Sequence, residues 1–177
     1  LKNYLIDRFN VESRKITVIF NGVDTGEFNH FLNGEVIRKK YGIKKNDFVL
    51  IFAKALVTNN GPQFVVRALP QVLEKYPSAK LILVGEGPLK NELVKTAKQL
   101  HVFRNTIFTG IIPHEMMKYY LAASDAVVIP SVGILGYEEG CSILMLEGMA
   151  MGKPVIASQI GGLSEIIDGR EIGILVP

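Results

Sequence analysis

Two glutamates, Glu139 and Glu147, are separated by seven residues, a stretch that begins with Gly140. If a helix begins at Gly140, Glu139 lies at the loop edge and Glu147 about two turns along the helix. Both carboxylates can then face one ligand. A carboxylate accepts two hydrogen bonds at once, which suits the paired hydroxyls of a ribose. The spacing therefore indicates a site for a nucleoside or a sugar.

The residues that open this stretch supply a second kind of ligand group. At a helix start the amide hydrogens are unpaired and the helix carries partial positive charge, so such amides bind phosphate oxygens. Together with the glutamates they favour a nucleotide diphosphate sugar as ligand. The alternative is that the two glutamates are an ordinary helix-surface carboxylate and a loop charge. The amides in question belong to Gly140, Cys141, Ser142 and Ile143.

Six short apolar runs, rich in β-branched residues, predict buried strands, and four longer segments between them have helical spacing. Strands that are apolar on both faces suit a parallel sheet with a helix layer on each face. We therefore expect an α/β fold in one domain over residues 1–177, a doubly wound parallel sheet of about six strands. The predicted strands are 48–52, 81–84, 107–109, 126–129, 155–157 and 174–176, and the predicted helices are 63–76, 89–100, 115–123 and 142–151.

The stretch from Glu138 to Ala157 resembles the signature of a large family of retaining glycosyltransferases. That family includes sucrose synthase, glycogen synthases and many bacterial mannosyl- and glucosyltransferases, and it has the two-domain GT-B fold, of which this chain would be the Rossmann-like, donor-binding half. The resemblance implies transfer of a sugar from a UDP-, GDP- or ADP-linked donor to an acceptor hydroxyl with retained configuration. Glu147 would bind the ribose hydroxyls and Glu139 would lie beside the donor sugar as a catalytic group. No metal and no further cofactor are implied.

Two other motifs of the family lie in the first half of the chain. Residues 21–24, Asn-Gly-Val-Asp, resemble a family turn that follows a strand, here expected at 17–20, although Asn-Gly is also an ordinary tight turn. Residues 84–88 match a loop in which Gly85 and Gly87 permit close backbone approach to a base or phosphate. The other interpretation of this loop is a strand-to-helix turn with proline at the first helical position.

Further motifs follow in the family's order, so that the resemblance covers nearly the whole chain. Ser131 comes directly after the predicted strand 126–129 and either touches phosphate or caps a turn. Gly161 and Gly162 begin a loop whose backbone amides would lie near the sugar or the diphosphate. In this loop Ser164 replaces the usual proline.

One departure from the family pattern concerns the cations that neutralise the departing diphosphate. Where the family has an Arg and a Lys, this chain has Ala55 and Asn60, with Lys54 one residue earlier. A cation against a diphosphate in a partly dry cleft contributes roughly several kcal/mol, so losing both would slow transfer strongly. Three interpretations are open: Lys54 swings in as a catalytic group while Asn60 donates a hydrogen bond, a cation comes from elsewhere, or the chain binds nucleotide and transfers poorly.

Composition limits the classes of partner. The formal charge of +3 is spread along the chain, which argues against nucleic acid but is compatible with a membrane surface. Cys141 is the single cysteine, and no Cys or His pair has zinc-ligand spacing, so a reducing, cytoplasmic compartment fits best, with peripheral contact at the inner membrane face also compatible. The histidines His30, His101 and His114 are scattered singly, and we expect surface or capping roles for them.

The ends of the sequence suggest a larger arrangement. The chain opens in a helix-like segment, 1–9, and stops at Pro177 after a strand, so we expect an N-terminal acceptor domain and a closing C-terminal helix outside it. The N-terminal domain would bind the acceptor, a sugar or a lipid-linked glycan. Alone, this chain would bind donor weakly and catalyse little. Two alternatives to an active transferase stay open: a nucleotide-sensing module, favoured by Ala55 and Asn60, and a Rossmann oxidoreductase, disfavoured because Gly85 and Gly87 lack the third glycine of its fingerprint.

Overall fold

The computed structural model describes residues 2–134, 139–167 and 172–177. Its six strands are β1 Val49–Ala53, β2 Lys80–Val84, β3 Thr106–Gly110, β4 Ala126–Ile129, β5 Val155–Ser158 and β6 Gly173–Val176. They form one sheet in the order β3-β2-β1-β4-β5-β6, and every neighbouring pair is parallel. All six strands predicted from the apolar runs are confirmed, and so is the parallel, doubly wound sheet.

The described helices connect these strands and cover the sheet. They are α1 Lys2–Phe9, α2 Glu35–Lys40, α3 Pro62–Lys75, α4 Lys90–Gln99, α5 His114–Ala123, α6 Ile143–Ala150 and α7 Gly161–Ile166. The four predicted helices correspond to α3, α4, α5 and α6. Within the described ranges no helix is both long enough and apolar enough to cross a bilayer.

Two hydrophobic cores lie on opposite faces of the sheet, because successive side chains of a strand point to opposite sides. In β1, Val49 and Ile51 belong to one core, and Leu50 and Phe52 belong to the other. The first core is closed by residues of α2, α5, α6 and α7, and the second by residues of α3 and α4. Helices therefore cover both faces, as expected.

Two local expectations are wrong. Residues 17–20 form no strand, and Ile19 is 87% exposed. These residues are β-branched and aromatic, but no strand of the sheet pairs with them, and a strand needs a partner to satisfy its backbone. Gly161 and Gly162 do not continue the loop after β5 but form the first turn of α7. Glycine is a poor helix former, so residue preferences do not predict this short helix.

The strand order reverses direction between β1 and β4, which are hydrogen-bonded neighbours at the centre of the sheet. The chain winds outward from β1 through β2 to β3, then returns to β4 and winds the other way to β6. Parallel sheets of this kind bind ligands in the crevice at the carboxyl ends of the strands beside such a reversal. The loops after β1 and β4 therefore border the crevice, and they carry Lys54 and Ser131.

Candidate functional site

Three predicted site residues meet at the carboxyl edge of the two central strands. Lys54 follows β1, Ser131 follows β4, and Glu139 lies in the loop between β4 and α6. The Lys54 ammonium pairs with Oε2 of Glu139 and donates to Oγ of Ser131 at 3.1 Å, and the Ser131 hydroxyl donates to the same Glu139 oxygen at 2.9 Å. Only 15% of the Lys54 side chain and 18% of that of Glu139 are exposed. The loop charge of the alternative interpretation is thus part of a partly buried hydrogen-bonded cluster.

Glycines allow the loops around this cluster to approach one another. Gly85 has φ +129°, and a Cβ there would lie 2.3 Å from the carbonyl oxygen of Lys54. Gly162 donates its amide to the Glu139 carbonyl at 2.9 Å, and a Cβ there would lie 1.8 Å from the carbonyl oxygen of Gly140. Neither position can hold a larger residue without moving backbone. The glycines therefore support the loops that present Lys54 and Glu139, and Gly87 does the same against Leu56, whose carbonyl oxygen a Cβ would approach to 2.5 Å.

Helix α6 begins three residues later than the spacing argument assumed. Ser142 is its buried N-cap residue and Ile143 its first residue, so Gly140 and Cys141 lie in the preceding loop. Backbone amides of both loop and first turn still lie at the carboxyl edge of the sheet. Glu147 is consequently little more than one turn into the helix, where its backbone NH and CO are part of regular helix.

The side chain of Glu147 is largely buried, and its carboxylate has no hydrogen-bond partner among the described residues. Its side chain is 6% exposed, and no hydrogen-bond donor from the described residues reaches it. The nearest ionisable group among the described residues is the imidazole of His114, whose Nε2 lies 4.0 Å from Oε1 of Glu147, too far for a hydrogen bond. Buried carboxylates are usually paired, because an unsatisfied charge costs several kcal/mol, on the order of 3 or more. The surface-carboxylate interpretation of Glu147 is therefore wrong.

The surroundings of Glu147 shift the pKa of its carboxyl in opposite directions. Burial is the largest effect and raises the pKa of its carboxyl, the nearby His114 lowers that pKa, and the carboxylate of Glu27 raises it. Glu27 is itself paired with Lys118, whose Nζ lies 3.2 Å from Oε1 of Glu27. A ligand that donates hydrogen bonds to Glu147 would therefore supply contacts that the described residues do not.

The side-chain amide of Asn60 is not part of the cluster, and the alanine at position 55 has no polar side chain to contribute. The amide of Asn60 donates to the carbonyl oxygen of Ala55 at 2.8 Å, within the loop after β1. In this structure that amide is engaged by its own loop, contrary to the expectation that it would donate to a ligand. Lys54 is the cation that the loop brings to the crevice.

Three residues near Glu147 were not predicted as site residues: Glu27, His114 and Lys118. His114 was expected to lie at the surface or to cap an element, and its side chain is 70% exposed; it begins α5, four residues after the end of β3, on the edge where parallel sheets bind ligands. The sequence did contain one signal for His114: it stands shortly after the end of a predicted strand. Such positions border the crevice in parallel sheets. Glu27 follows the turn of Asp24, whose carboxylate accepts the amides of Gly26 at 2.8 Å and Glu27 at 3.2 Å.

The parallel sheet and its central reversal define an α/β domain of the Rossmann-like class, with the polar cluster at the point of reversal. The chain belongs to the family described as Glycosyl transferases group 1, whose sequence profile matches residues 33–177. This finding confirms the resemblance on which the sequence interpretation rested.

Two relatives illustrate the similarity in sequence. An uncharacterized glycosyltransferase of Methanocaldococcus jannaschii is 34% identical over 179 residues, covering 99% of this chain and 44% of that protein. The GDP-mannose-dependent alpha-(1-6)-phosphatidylinositol monomannoside mannosyltransferase of Mycolicibacterium smegmatis is 33% identical over 84% of this chain and 40% of its own length. The chain thus spans less than half the length of these relatives.

Solved structures agree on the fold. The crystal structure of HepE from Anabaena in complex with UDP has a TM-score of 0.85 at 24% identity and covers 99% of this chain and 47% of its own. The C-terminal domain of LpcC, a glycosyl transferase group 1 family protein of Francisella tularensis, has a TM-score of 0.73 at 31% identity and covers 88% of this chain and 80% of its own. The fold is that of the Rossmann-like half of a GT-B glycosyltransferase.

Proposed function

We propose that this chain is the donor-binding domain of a glycosyltransferase that transfers a sugar from a nucleotide diphosphate sugar to an acceptor hydroxyl. The observation that carries the proposal is the carboxylate of Glu147, buried at the carboxyl edge of the sheet with no described hydrogen-bond donor. The vicinal hydroxyls of a ribose are two donors at the spacing that a carboxylate accepts. A bound nucleoside would supply the hydrogen bonds that this carboxylate lacks.

The cluster of Lys54, Ser131 and Glu139 would receive the diphosphate and the sugar. The Lys54 ammonium would turn from Glu139 towards the phosphate oxygens and stabilise negative charge on the departing nucleoside diphosphate. The amides before and within the first turn of α6 would add uncharged donors to the same oxygens. Glu139, still held by the Ser131 hydroxyl, would remain beside the anomeric carbon, where its negative charge favours positive charge developing on the sugar ring.

The rest of the reaction belongs to the larger protein in this proposal. The acceptor would bind in the cleft between this domain and an N-terminal domain, and the anomeric configuration would be retained, as the resemblance implies. The relatives differ in donor: the Mycolicibacterium smegmatis protein is named for GDP-mannose, whereas HepE was crystallised with UDP and with UDP-glucose. The base and the sugar used here therefore have to be measured.

Titration calorimetry of this chain with UDP, GDP and ADP tests the proposal. One nucleotide is expected to bind, and Glu147→Gln is expected to weaken it about tenfold or more, because two hydrogen bonds to a charged acceptor are replaced by weaker ones. Glu74→Gln is the matched control, since Glu74 is an exposed carboxylate near the end of α3. Equal heats for the native chain and Glu147→Gln would remove the ribose contact and, with it, the proposal.

A second candidate is a nucleotide-sensing domain that binds the donor without transferring its sugar. It is favoured by the contacts of Lys54 and Asn60 in the loop after β1, since Lys54 pairs with Glu139 and Asn60 bonds to Ala55. The full-length protein decides between the two candidates. Release of free nucleoside diphosphate from the donor, with or without acceptor, supports the transferase, whereas tight nucleotide binding with no release supports the sensor.

A further inference from the structure

His114 occupies a singular place beside Glu147. It is the first residue of α5, and β3 ends four residues earlier at Gly110, so it lies on the edge of the sheet where ligands bind. Its side chain is 70% exposed, whereas that of Glu147, 4.0 Å away, is 6% exposed. An imidazole open to solvent therefore stands next to a carboxylate that is nearly closed off from it.

The distance between the two groups leaves room for a ligand atom. Nε2 of His114 and Oε1 of Glu147 are too far apart to bond directly. A hydroxyl oxygen that donates to Oε1 at about 2.7 Å can also lie within hydrogen-bond distance of Nε2. The imidazole nitrogen can donate to such an oxygen or accept from its neighbour, depending on its tautomer.

Contacts on the other side of the ring restrict where it can point. The His114 ring lies 6.0 Å from the ring of Phe28, tilted by 49°, and Phe28 is buried in the first core. Phe28 is fixed in turn by Asp24, whose carbonyl accepts the Phe28 amide at 2.8 Å. Asp24, the last residue of the Asn-Gly-Val-Asp turn, thereby helps to hold the Phe28 ring beside the imidazole.

The charges around this pair leave His114 as the group that faces Glu147. His114 and Lys118 are four residues apart and so share one face of α5. Lys118 pairs with Glu27 at 3.2 Å, and that pairing partly neutralises the second carboxylate near Glu147. Glu27 and Lys118 thus form an ion pair, whereas His114 and Glu147 lie side by side without a hydrogen bond between them.

We propose that His114 contacts the bound nucleoside directly, its Nε2 hydrogen-bonding to a ribose hydroxyl that Glu147 also binds. The inference rests on the proposed function and adds to it a residue that sets nucleoside affinity. In this arrangement the ribose binds between α5 and α6, whereas the diphosphate binds to Lys54 and the α6 amides. A contact to the ribose predicts that His114 affects nucleosides and leaves pyrophosphate alone.

Calorimetry with UDP and with pyrophosphate on three variants tests this separation. His114→Ala is expected to weaken UDP roughly 3- to 10-fold, the contribution of one net hydrogen bond, and to leave pyrophosphate affinity unchanged. His114→Gln keeps an NH donor at similar reach and should recover most of the loss. His101→Asn is the control, because His101 is an exposed histidine after α4 with φ 59°, a conformation that Asn tolerates.

Several outcomes would overturn the inference. UDP affinity unaffected by His114→Ala, while Glu147→Gln weakens it, would remove His114 and keep the proposed function. An equal loss for UDP and pyrophosphate would show that the imidazole meets the phosphates and not the ribose. If Glu147→Gln binds UDP as the native chain does, the proposed function and this inference fail together.

NMR spectroscopy provides an independent test if the heats of binding are too small to be fitted. The histidine ring signals in two-dimensional NMR spectra report each imidazole separately. On addition of UDP the signals of His114 should shift, and those of His30 and His101 should stay in place. A shift that is equal for all three rings, or absent at His114, contradicts the contact.

Discussion

Replacing Glu147 by glutamine is expected to stabilise the folded chain at neutral pH even though it weakens nucleotide binding. Burial raises the pKa of Glu147 above its ordinary value of 4.5, so ionisation of this group opposes folding. Below pH 4.5 the carboxyl is neutral in the folded and unfolded chains, and native protein and variant should be about equally stable. As the pH rises through the raised pKa, the native chain loses stability that the variant keeps.

The size of the difference follows from the surroundings of the side chain. A buried, unsatisfied polar group costs about 1–3 kcal/mol, and a charged one costs more. The glutamine amide would still lack a partner, and His114 at 4.0 Å offsets part of the cost of the charge. The remaining gain is about 1 kcal/mol in the free energy of unfolding. For a chain of this length that raises the thermal midpoint by about 2–4 °C.

Thermal unfolding followed by circular dichroism at pH 7.5 and at pH 4.5 measures this difference. The gain of Glu147→Gln should be present at the higher pH and largely gone at the lower one, while Glu74→Gln should match the native chain at both. A variant that is less stable than the native chain at pH 7.5 would contradict this prediction. In that case the folded protein would satisfy the carboxylate, and its burial would carry no information about a ligand.

Three further predictions concern the loops of the crevice. Lys54→Ala should weaken UDP about tenfold or more in calorimetry while uridine binds as before, and Lys54→Arg should retain most of the affinity; equal effects on UDP and uridine would place Lys54 away from the phosphates. Asn60→Lys, which places a cation where the family has one, should tighten UDP by roughly threefold or more; unchanged affinity would mean that this loop position does not reach the diphosphate. Gly162→Ala should lower the free energy of unfolding by about 1–3 kcal/mol in urea denaturation, because its Cβ would meet the carbonyl oxygen of Gly140, whereas Gly22→Ala, with nothing within 4 Å, should be neutral.

The fold was predictable where burial on both faces dominates the sequence. Runs such as 126–129 are apolar throughout because both cores contact them, and that pattern identified every strand of the sheet. Helix α2 was missed because it has six residues and buries only Ile37, which is too little for a periodic signal. The strand expected at 17–20 failed for the opposite reason, since local preference was strong but no partner strand exists among the described residues.

The residues of the candidate site could be predicted from the sequence, but the hydrogen bonds between them could not. The order of the motifs identified Lys54, Ser131 and Glu139 as site residues, although Lys54 lies 77 and 85 positions from the other two in the sequence. Their mutual hydrogen bonds depend on side-chain directions at the ends of two strands, which no sequence pattern contains. His114 was missed because it becomes a neighbour of Glu147 only when α5 and α6 pack on the same face of the sheet.

The two glutamates of the signature stand in contrasting environments, and the contrast suggests how donor binding would proceed. Glu139 already has an ammonium and a hydroxyl as partners, so a diphosphate must compete with it for Lys54. Glu147 has no described partner, so a ribose would gain hydrogen bonds there without displacing any. The nucleoside can therefore bind first at low cost, and its affinity then helps to move Lys54 from Glu139 to the phosphates. This order requires that uridine bind measurably on its own and that pyrophosphate bind more tightly once Glu139→Gln has released the ammonium. Calorimetry with each ligand alone checks both requirements, and failure of the second would show that the Lys54–Glu139 pair does not oppose diphosphate binding.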